Sequence, residues 1–233
     1  HRDLHSFPTR RSSDLIRTLR EKIPASVQLV AVSKTRTLEE ILEAYGAGQK
    51  VFGENRVQEL LQKKDKLPGD IEWHLIGHLQ TNKVKQVVPN VSVIESADSF
   101  RLIKLIDREA SGTGISISCL LQVHIAEEET KYGFAIEEIR EMLDSPEWNE
   151  IRSVKIAGVM GMATFTDDAS RVRSEFRRLK KCFDELKKDY FPSDDGFREI
   201  SMGMSGDYSI AIEEGSTIVR IGSLIFGERI KKQ

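Results

Sequence analysis

The sequence predicts a single α/β domain folded as a closed (β/α)8 barrel of the TIM type. Eight short apolar runs of strand length alternate with helical patterns, and polar or small residues directly follow most of the runs. Runs that are apolar throughout are typical of parallel strands buried on both faces. An open, doubly wound sheet gives the same alternation, but its first strand is more often followed by a glycine-rich turn. Ser33, Lys34 and Thr35 stand there instead, which favours the barrel.

The eight predicted strands follow one another with little interruption. We place them at residues 28–33, 50–54, 71–76, 91–95, 115–125, 154–160, 197–201 and 217–221. Thr37 is predicted to cap the helix after the first strand, with Glu40 three residues later completing a capping box. The longest helix is predicted over residues 168–190, where apolar residues form one stripe.

The composition is that of an ordinary soluble globular protein. The 233 residues are 39% hydrophobic and 31% charged, with a formal net charge of −2, which gives no support to a nucleic-acid or acidic-membrane partner. No apolar run reaches the ~18–20 residues needed to span a bilayer. The two cysteines, Cys119 and Cys182, have no metal-ligand spacing, so we expect a reducing, cytoplasmic location.

Residues 1–15 differ from the rest of the sequence. They are polar and rich in arginine, and residues 5–15 resemble the translation of a sequencing adapter. We expect residues 1–15 to be a non-native, disordered segment and residues 16–233 to form the single barrel domain. A basic transit peptide is the alternative interpretation. On this view only residues 16–23 remain of the helix before the first strand.

Lys34 is the most informative residue at a predicted strand end. Apolar surroundings at the end of a core strand lower the pKa of a lysine amine. An uncharged amine attacks an aldehyde and forms a Schiff base. A lysine that extends from the barrel rim into solvent is the alternative.

Two glycine- and serine-rich turns follow the last two predicted strands, within ISMGMSGDY at 200–208 and IVRIGS at 218–223. Consecutive backbone N–H groups in such turns bind an anion, although two ordinary glycine turns would look the same. In a closed barrel these turns neighbour Lys34. A lysine and a phosphate site one cofactor width apart predict pyridoxal 5′-phosphate, PLP. Arg220 facing the pyridine nitrogen would leave that nitrogen unprotonated, and a surface salt bridge to Glu213 or Glu214 is the alternative.

Five motifs together resemble the pyridoxal phosphate homeostasis protein family, which is related to the N-terminal domain of alanine racemase. They are AVSKT at 31–35, FGENRVQE at 52–59, WHLIGHLQTNK at 73–83, GVMGMAT at 158–164 and the segment 201–227. The resemblance extends from about residue 27 to the C-terminus. It implies an alanine racemase N-terminal-domain-like barrel with Lys34 as the Schiff-base lysine. By position it implies that the phosphate is held by Ser201, Ser205, Gly222 and Ser223, the pyridine nitrogen by Arg220 and the ring edge by Asn55.

The resemblance also implies a role in intracellular PLP (vitamin B6) and amino-acid homeostasis without robust catalytic turnover. It implies PLP-dependent apo-enzymes as further partners, and we expect a monomer. No catalytic residue and no metal ligand is predicted, because His74 and His78 lie at a strand end and a loop with no third ligand nearby. His124 stands where the family usually has asparagine, so it either lines the pocket or packs at its rim.

Two alternative functions remain open. A PLP-dependent amino-acid racemase of the same barrel type would need a second proton-transfer group opposite the lysine. In alanine racemase that group comes from a second domain, and only about ten residues follow the turn at 222–223 here, so we expect one face of the cofactor to be open to water. A phosphosugar-binding barrel would use the two turns without any lysine linkage.

Overall fold

The computed structural model describes residues 11–126 and 132–227, and its eight parallel strands close into a barrel in chain order. The predicted fold class is therefore confirmed. The strands are β1 Gln28–Val32, β2 Val51–Glu54, β3 Glu72–Leu75, β4 Val93–Ala97, β5 Ile117–Gln122, β6 Val154–Met160, β7 Glu199–Ser201 and β8 Ile218–Ile221. Strand β6 has its predicted bounds, whereas β4 runs past its predicted end to Ala97.

Helices surround the strands. They are α1 Ser12–Lys22, α2 Leu38–Gly46, α3 Val57–Lys64, α4 Val84–Val87, α5 Phe100–Thr113, α6 Ile136–Asp144, α7 Ala169–Asp189, α8 Tyr208–Glu213 and α9 Ser223–Phe226. The capping box before α2 is confirmed: the Glu40 N–H donates to Thr37 Oγ1 at 3.3 Å, and the Thr37 N–H donates to Glu40 Oε2 at 2.8 Å. In the part of the chain that the structure describes, no helix is both long and apolar enough to cross a bilayer.

Helix α1 corrects the prediction for residues 12–15. The helix begins at Ser12, so it contains four residues that we expected to be disordered. Ile16 and Leu19 are buried against the core, and the Ser13 hydroxyl donates to Glu43 of α2 at 3.3 Å. These contacts with α2 order the first turn of the helix. Residues 1–10 lie outside the described residues.

The core has one layer inside the barrel and another between the strands and helices. In β1, Leu29 and Ala31 pack with residues of the outer helices, including Ile41. Val30 points the other way and packs with a small cluster from β5, β6 and β8. This alternation within an apolar strand is expected when both faces are buried.

The pairing between neighbouring strands is uneven around the barrel. Strand β1 closes the barrel by pairing with β8, where Val30 lies opposite Arg220. Strands β5 and β6 share six registered residue pairs, whereas β7 and β8 share one, Ser201 with Ile218. Since the carboxyl ends of parallel strands meet at one rim, the turns after β1, β7 and β8 lie together.

Candidate cofactor-binding site

A cavity of about 730 Å³ opens at the carboxyl rim of the barrel. Six of the seven predicted site residues line it, namely Lys34, Asn55, Ser205, Arg220, Gly222 and Ser223. Ser201 is the exception and lies buried below the cavity. The fold thus brings residues from the first, second, seventh and eighth strand ends to one place.

Lys34 and the turn after β8 are close because β1 and β8 are paired. A Cβ placed on Gly222 would lie 3.2 Å from the carbonyl oxygen of Val32, so the backbone of Gly222 packs directly against β1. Lys34 follows Val32 by two residues, which is about 7 Å of extended chain. The half-buried lysine and the glycine-serine turn therefore face one cavity.

The turn that carries Lys34 has an unusual backbone. Thr35 has φ 64°, in the left-handed region that β-branched residues rarely adopt. Its N–H donates to Glu59 Oε2 at 2.7 Å, and the Arg36 N–H donates to the Ser33 carbonyl at 3.0 Å. The conformation next to Lys34 is thus held from two sides.

The turn after β7 is shaped by glycine and by an aspartate. Gly203 has φ +96°, and a Cβ there would lie 2.6 Å from the Cβ of Ala211, so only glycine fits. Asp207 Oδ1 accepts the N–H of Met204 at 2.6 Å. Ser205 Oγ accepts the N–H of Gly222 at 3.3 Å, which ties this turn to the one after β8.

Arg220 is 3% exposed and belongs to a buried polar network. Its Nη1 donates to Ser201 Oγ at 2.5 Å, and its Nη2 donates to the Gly161 carbonyl at 3.0 Å. The alternative of a surface salt bridge is wrong, because Glu213 and Glu214 pair with Arg173. Burial lowers the pKa of Arg220 despite the charges of Glu95 and Asp207. A guanidinium nevertheless stays charged in proteins.

Glu95 is the centre of this network and is fully buried. Its Oε1 lies 2.7 Å from His74 Nδ1, and its Oε2 accepts the Ser201 hydroxyl at 2.5 Å and lies 3.7 Å from Arg220 Nη1. Burial alone would raise the pKa of Glu95. The hydrogen bond from His74, the charge of Arg220 and the hydroxyl of Ser201 outweigh it, so the pKa lies below its ordinary value.

Ser201 therefore has a different place from the one predicted. Its hydroxyl joins Arg220 to Glu95 and is fully buried, whereas the phosphate role required a group that faces the cavity. Ser205, Gly222 and Ser223 remain at the cavity wall. The inward direction of Ser201 follows from the alternation of side chains along β7, of which it is the last residue.

Asn55 lines the cavity, and its side-chain oxygen is buried. Its Oδ1 is solvent-inaccessible and has no hydrogen-bond partner among the described residues. An unpaired buried acceptor costs about 1–3 kcal/mol, so a ligand that donates a hydrogen bond here would remove a penalty. This observation fits a ligand with a hydroxyl at its ring edge.

Comparison with known proteins gives consistent results. Residues 13–230 match the family described as "Alanine racemase, N-terminal domain". The pyridoxal phosphate homeostasis protein of Aquifex aeolicus (strain VF5) is 43% identical over 203 residues, which are 87% of this chain and 87% of the relative. The human protein of the same name is 38% identical over 213 residues, covering 87% of this chain and 76% of the human one.

The chain belongs to the pyridoxal phosphate homeostasis protein family. PipY of Synechococcus elongatus PCC7942, determined with PLP bound, superposes with a TM-score of 0.83 at 37% identity, covering 93% of this chain and all of PipY (100%). Alanine racemase of Clostridium difficile 630 superposes with a TM-score of 0.76 at 12% identity, covering 95% of this chain and 60% of the racemase. That second likeness is one of fold.

In this family member the sequence did not reveal the residues that hold the site residues in place. Thr35, Glu59 and Lys63 shape the turn of Lys34, while His74 and Glu95 orient Arg220. The available signal was a charged or polar residue inside an otherwise apolar strand, as at His74 and Glu95.

Two other histidines, His78 and His124, are not among the described residues that line the cavity. His78 Nδ1 is 2.8 Å from Asp98 Oδ2, and its ring stacks on Tyr132 with centroids 3.9 Å apart. His124 is half-buried. Its backbone N–H donates to Phe134, next to the strand end of β5.

Proposed function

We propose that this protein binds PLP and serves in intracellular PLP and amino-acid homeostasis, as a carrier without robust catalytic turnover. The observation that carries the proposal is the convergence of Lys34, Arg220 and the turn at 222–223 on one cavity. The membership in the family and the PLP bound in PipY support it. The aldehyde, the pyridine nitrogen and the phosphate of PLP would then each have a complementary protein group.

Each part of the cofactor has residues suited to hold it. Lys34 would hold the aldehyde through a Schiff-base linkage, and Arg220 would lie against the pyridine nitrogen. Ser205, Gly222 and Ser223 would bind the phosphate through a hydroxyl and backbone N–H groups. The unpaired Oδ1 of Asn55 would accept a hydrogen bond from the ring edge. When bound, PLP supplies an electrophilic aldehyde and an electron-withdrawing ring.

The lining of the cavity favours a carrier over a racemase. The described residues that line it include two carboxylates, Asp167 and Asp207, and no tyrosine, histidine or cysteine. Asp207 already accepts a backbone hydrogen bond, and Phe165 at the cavity wall is 98% exposed, which supports an open site. Proton transfer from carbon benefits from a second positioned base and from exclusion of water.

We also propose that the protein is a cytoplasmic monomer that passes PLP to PLP-dependent apo-enzymes. The open cavity supports transfer to a partner. Cys119 and Cys182 are both free and buried, and burial raises the pKa of each thiol to about 12. Two unreactive free thiols suit a reducing compartment.

Absorbance and mass measurements test the proposal. Purified protein incubated with PLP should gain visible absorbance, and borohydride reduction should add one cofactor mass. Lys34→Ala should lose both signals, whereas Lys50→Ala, a surface lysine paired with Asp70, should keep them. Sustained racemisation of alanine that is lost in Lys34→Ala would support the racemase instead. Binding of inorganic phosphate without any visible absorbance would favour the phosphosugar barrel.

A further inference from the structure

The turn between β1 and α2 carries Lys34 in a conformation that the local sequence does not favour. Thr35, directly after the lysine, has φ 64° although its side chain is β-branched. This conformation is rare for a β-branched residue and persists only where contacts with the surrounding structure hold it. The interactions that hold Thr35 in this conformation should therefore also fix the position of Lys34.

Glu59 makes the decisive contact with this turn. It lies in the first turn of α3, and its Oε2 accepts the N–H of Thr35 at 2.7 Å. The hydrogen bond can form only while the Thr35 N–H points towards α3. Glu59 thus holds the peptide unit between Lys34 and Thr35 in one orientation.

Lys63 holds both Glu59 and Ser33, the residue before Lys34. Its ammonium is buried and lies 3.2 Å from Glu59 Oε2, 2.6 Å from Glu54 Oε1 and 2.8 Å from the Ser33 carbonyl. An ammonium has three N–H donors, and each has an acceptor here. The Ser33 hydroxyl also donates to Glu54 Oε1 at 2.7 Å. Both neighbours of Lys34 are consequently tied to one network.

None of the three charged residues in this network is among the described residues that line the cavity. Glu54, Glu59 and Lys63 therefore act on the site through the backbone around Lys34. Burial would raise the pKa of Glu59, but the Thr35 N–H and Lys63 outweigh it and hold the pKa below its ordinary value. Glu59 is thus a charged acceptor at neutral pH.

We propose that Glu59 is a positioning residue that holds Thr35 in the left-handed conformation and thereby aims Lys34 at the aldehyde of the cofactor. The proposal rests on the proposed function, in which Lys34 forms the covalent linkage. Small displacements of a reacting group slow a reaction strongly, so loss of this contact should affect the linkage rate more than binding.

The test separates linkage from binding in Glu59→Ala, Glu59→Gln, Thr35→Gly and the control Gln58→Ala, an exposed neighbour on the same helix. Linkage is followed by stopped-flow absorbance with PLP and with pyridoxal, which lacks the phosphate. Binding without linkage is measured with pyridoxine 5′-phosphate, which lacks the aldehyde.

We expect Glu59→Ala to slow linkage by about tenfold or more with both aldehydes and to leave pyridoxine 5′-phosphate binding unchanged. Glu59→Gln keeps an acceptor oxygen and should restore most of the rate. Thr35→Gly should unfold at higher denaturant than the wild type, because glycine tolerates the backbone angle, and yet link more slowly. A merely structural role would instead lower stability and linkage together.

Linkage at the wild-type rate in both Glu59→Ala and Thr35→Gly would overturn the proposal, as would a parallel loss of pyridoxine 5′-phosphate binding in Glu59→Ala. If Glu59→Ala does not fold, Thr35→Gly decides the matter, and linkage at the wild-type rate in that variant alone would overturn the proposal. A wild-type protein that forms no linkage with either aldehyde would overturn the proposed function as well, so the two failures are distinguishable.

Discussion

Glu54 and Glu95 are both fully buried carboxylates with a cation nearby, but their pKa values are displaced in opposite directions. Glu54 lies 2.6 Å from the Lys63 ammonium, and burial still raises its pKa despite Lys63 and Ser33. Glu95 is 3.7 Å from Arg220, and its pKa is lowered although burial acts against this. Glu54, which has the nearer cation, is thus the weaker acid of the two.

The two carboxylates differ in the partners of their oxygens. Glu54 Oε1 takes both of its hydrogen bonds, and Oε2 has no partner among the described residues. Glu95 uses both oxygens, one for His74 and the other for Ser201. His74 contributes most to lowering the pKa of Glu95, ahead of Arg220 and Ser201, whereas the charge of Glu59 adds to the effect of burial on the pKa of Glu54.

Glu95→Gln should destabilise the protein more than any other substitution in this network. Arg220 would remain buried without the charge of Glu95, and removal of one partner from a buried pair costs about 3–5 kcal/mol. The free energy of unfolding, measured in urea at pH 7, should fall by about that amount. The exposed Glu72→Gln on β3 is the matched control and should change little. An unchanged urea midpoint in Glu95→Gln would remove the basis of the comparison.

Glu54→Gln should cost less, about 1–2 kcal/mol. Lys63 keeps Glu59 and the Ser33 carbonyl as acceptors, and the folded state already disfavours the charged form of Glu54. The same urea experiment measures the difference. A loss equal to that of Glu95→Gln would show that the different partners of the two carboxylates do not affect stability.

Ser201→Ala leaves one oxygen of Glu95 with fewer hydrogen bonds, as in Glu54. The substitution removes one hydrogen bond to Oε2, which should cost about 1 kcal/mol. It should also raise the pKa of Glu95, and the protein should then unfold at a higher pH during acid titration. Acid unfolding at the wild-type pH would show that His74 and Arg220 set the pKa of Glu95 without Ser201.

The contributions of the two carboxylates to stability should also differ in how they depend on pH, by a smaller amount. The pKa of Glu95 lies below its ordinary 4.5, so its stabilising contribution is complete above pH 4.5 and declines as the pH falls below that value. The pKa of Glu54 lies above 4.5, so its unfavourable contribution grows as the pH rises from 4.5 through the folded-state pKa.

Urea unfolding over a pH series measures both effects. The stability advantage of the wild type over Glu95→Gln should shrink below pH 4.5. The stability of the wild type relative to Glu54→Gln should increase as the pH falls towards 4.5. Changes of the same sign in both pairs would contradict the assigned directions.

The parts of the fold that depend on local patterns were predictable from the sequence. The apolar runs predicted all eight strands, and the spacing of Thr37 and Glu40 predicted the capping box. The positions of Lys34 and Gly222 at the cavity were predictable because a residue directly after a parallel strand lies at the carboxyl rim of the barrel.

The parts that depend on distant contacts were not predictable. Ser201 lies 106 residues from Glu95 in sequence, and no residue near it in the sequence indicates that its hydroxyl donates to Glu95. The left-handed conformation of Thr35 depends on Glu59, 24 residues away. Helix α9 contains only four residues, too few to show a helical period.

The single registered pair between β7 and β8 has a consequence for local opening. Amide protons in these strands should exchange with deuterium sooner than those in β5 and β6, which share six pairs. The turns that follow β7 and β8 are the ones joined by Ser205 and Gly222. A molecule bound between these turns would slow the exchange. Protection of the Gly222 amide proton, which is donated to Ser205, would therefore report directly on occupancy of the cavity.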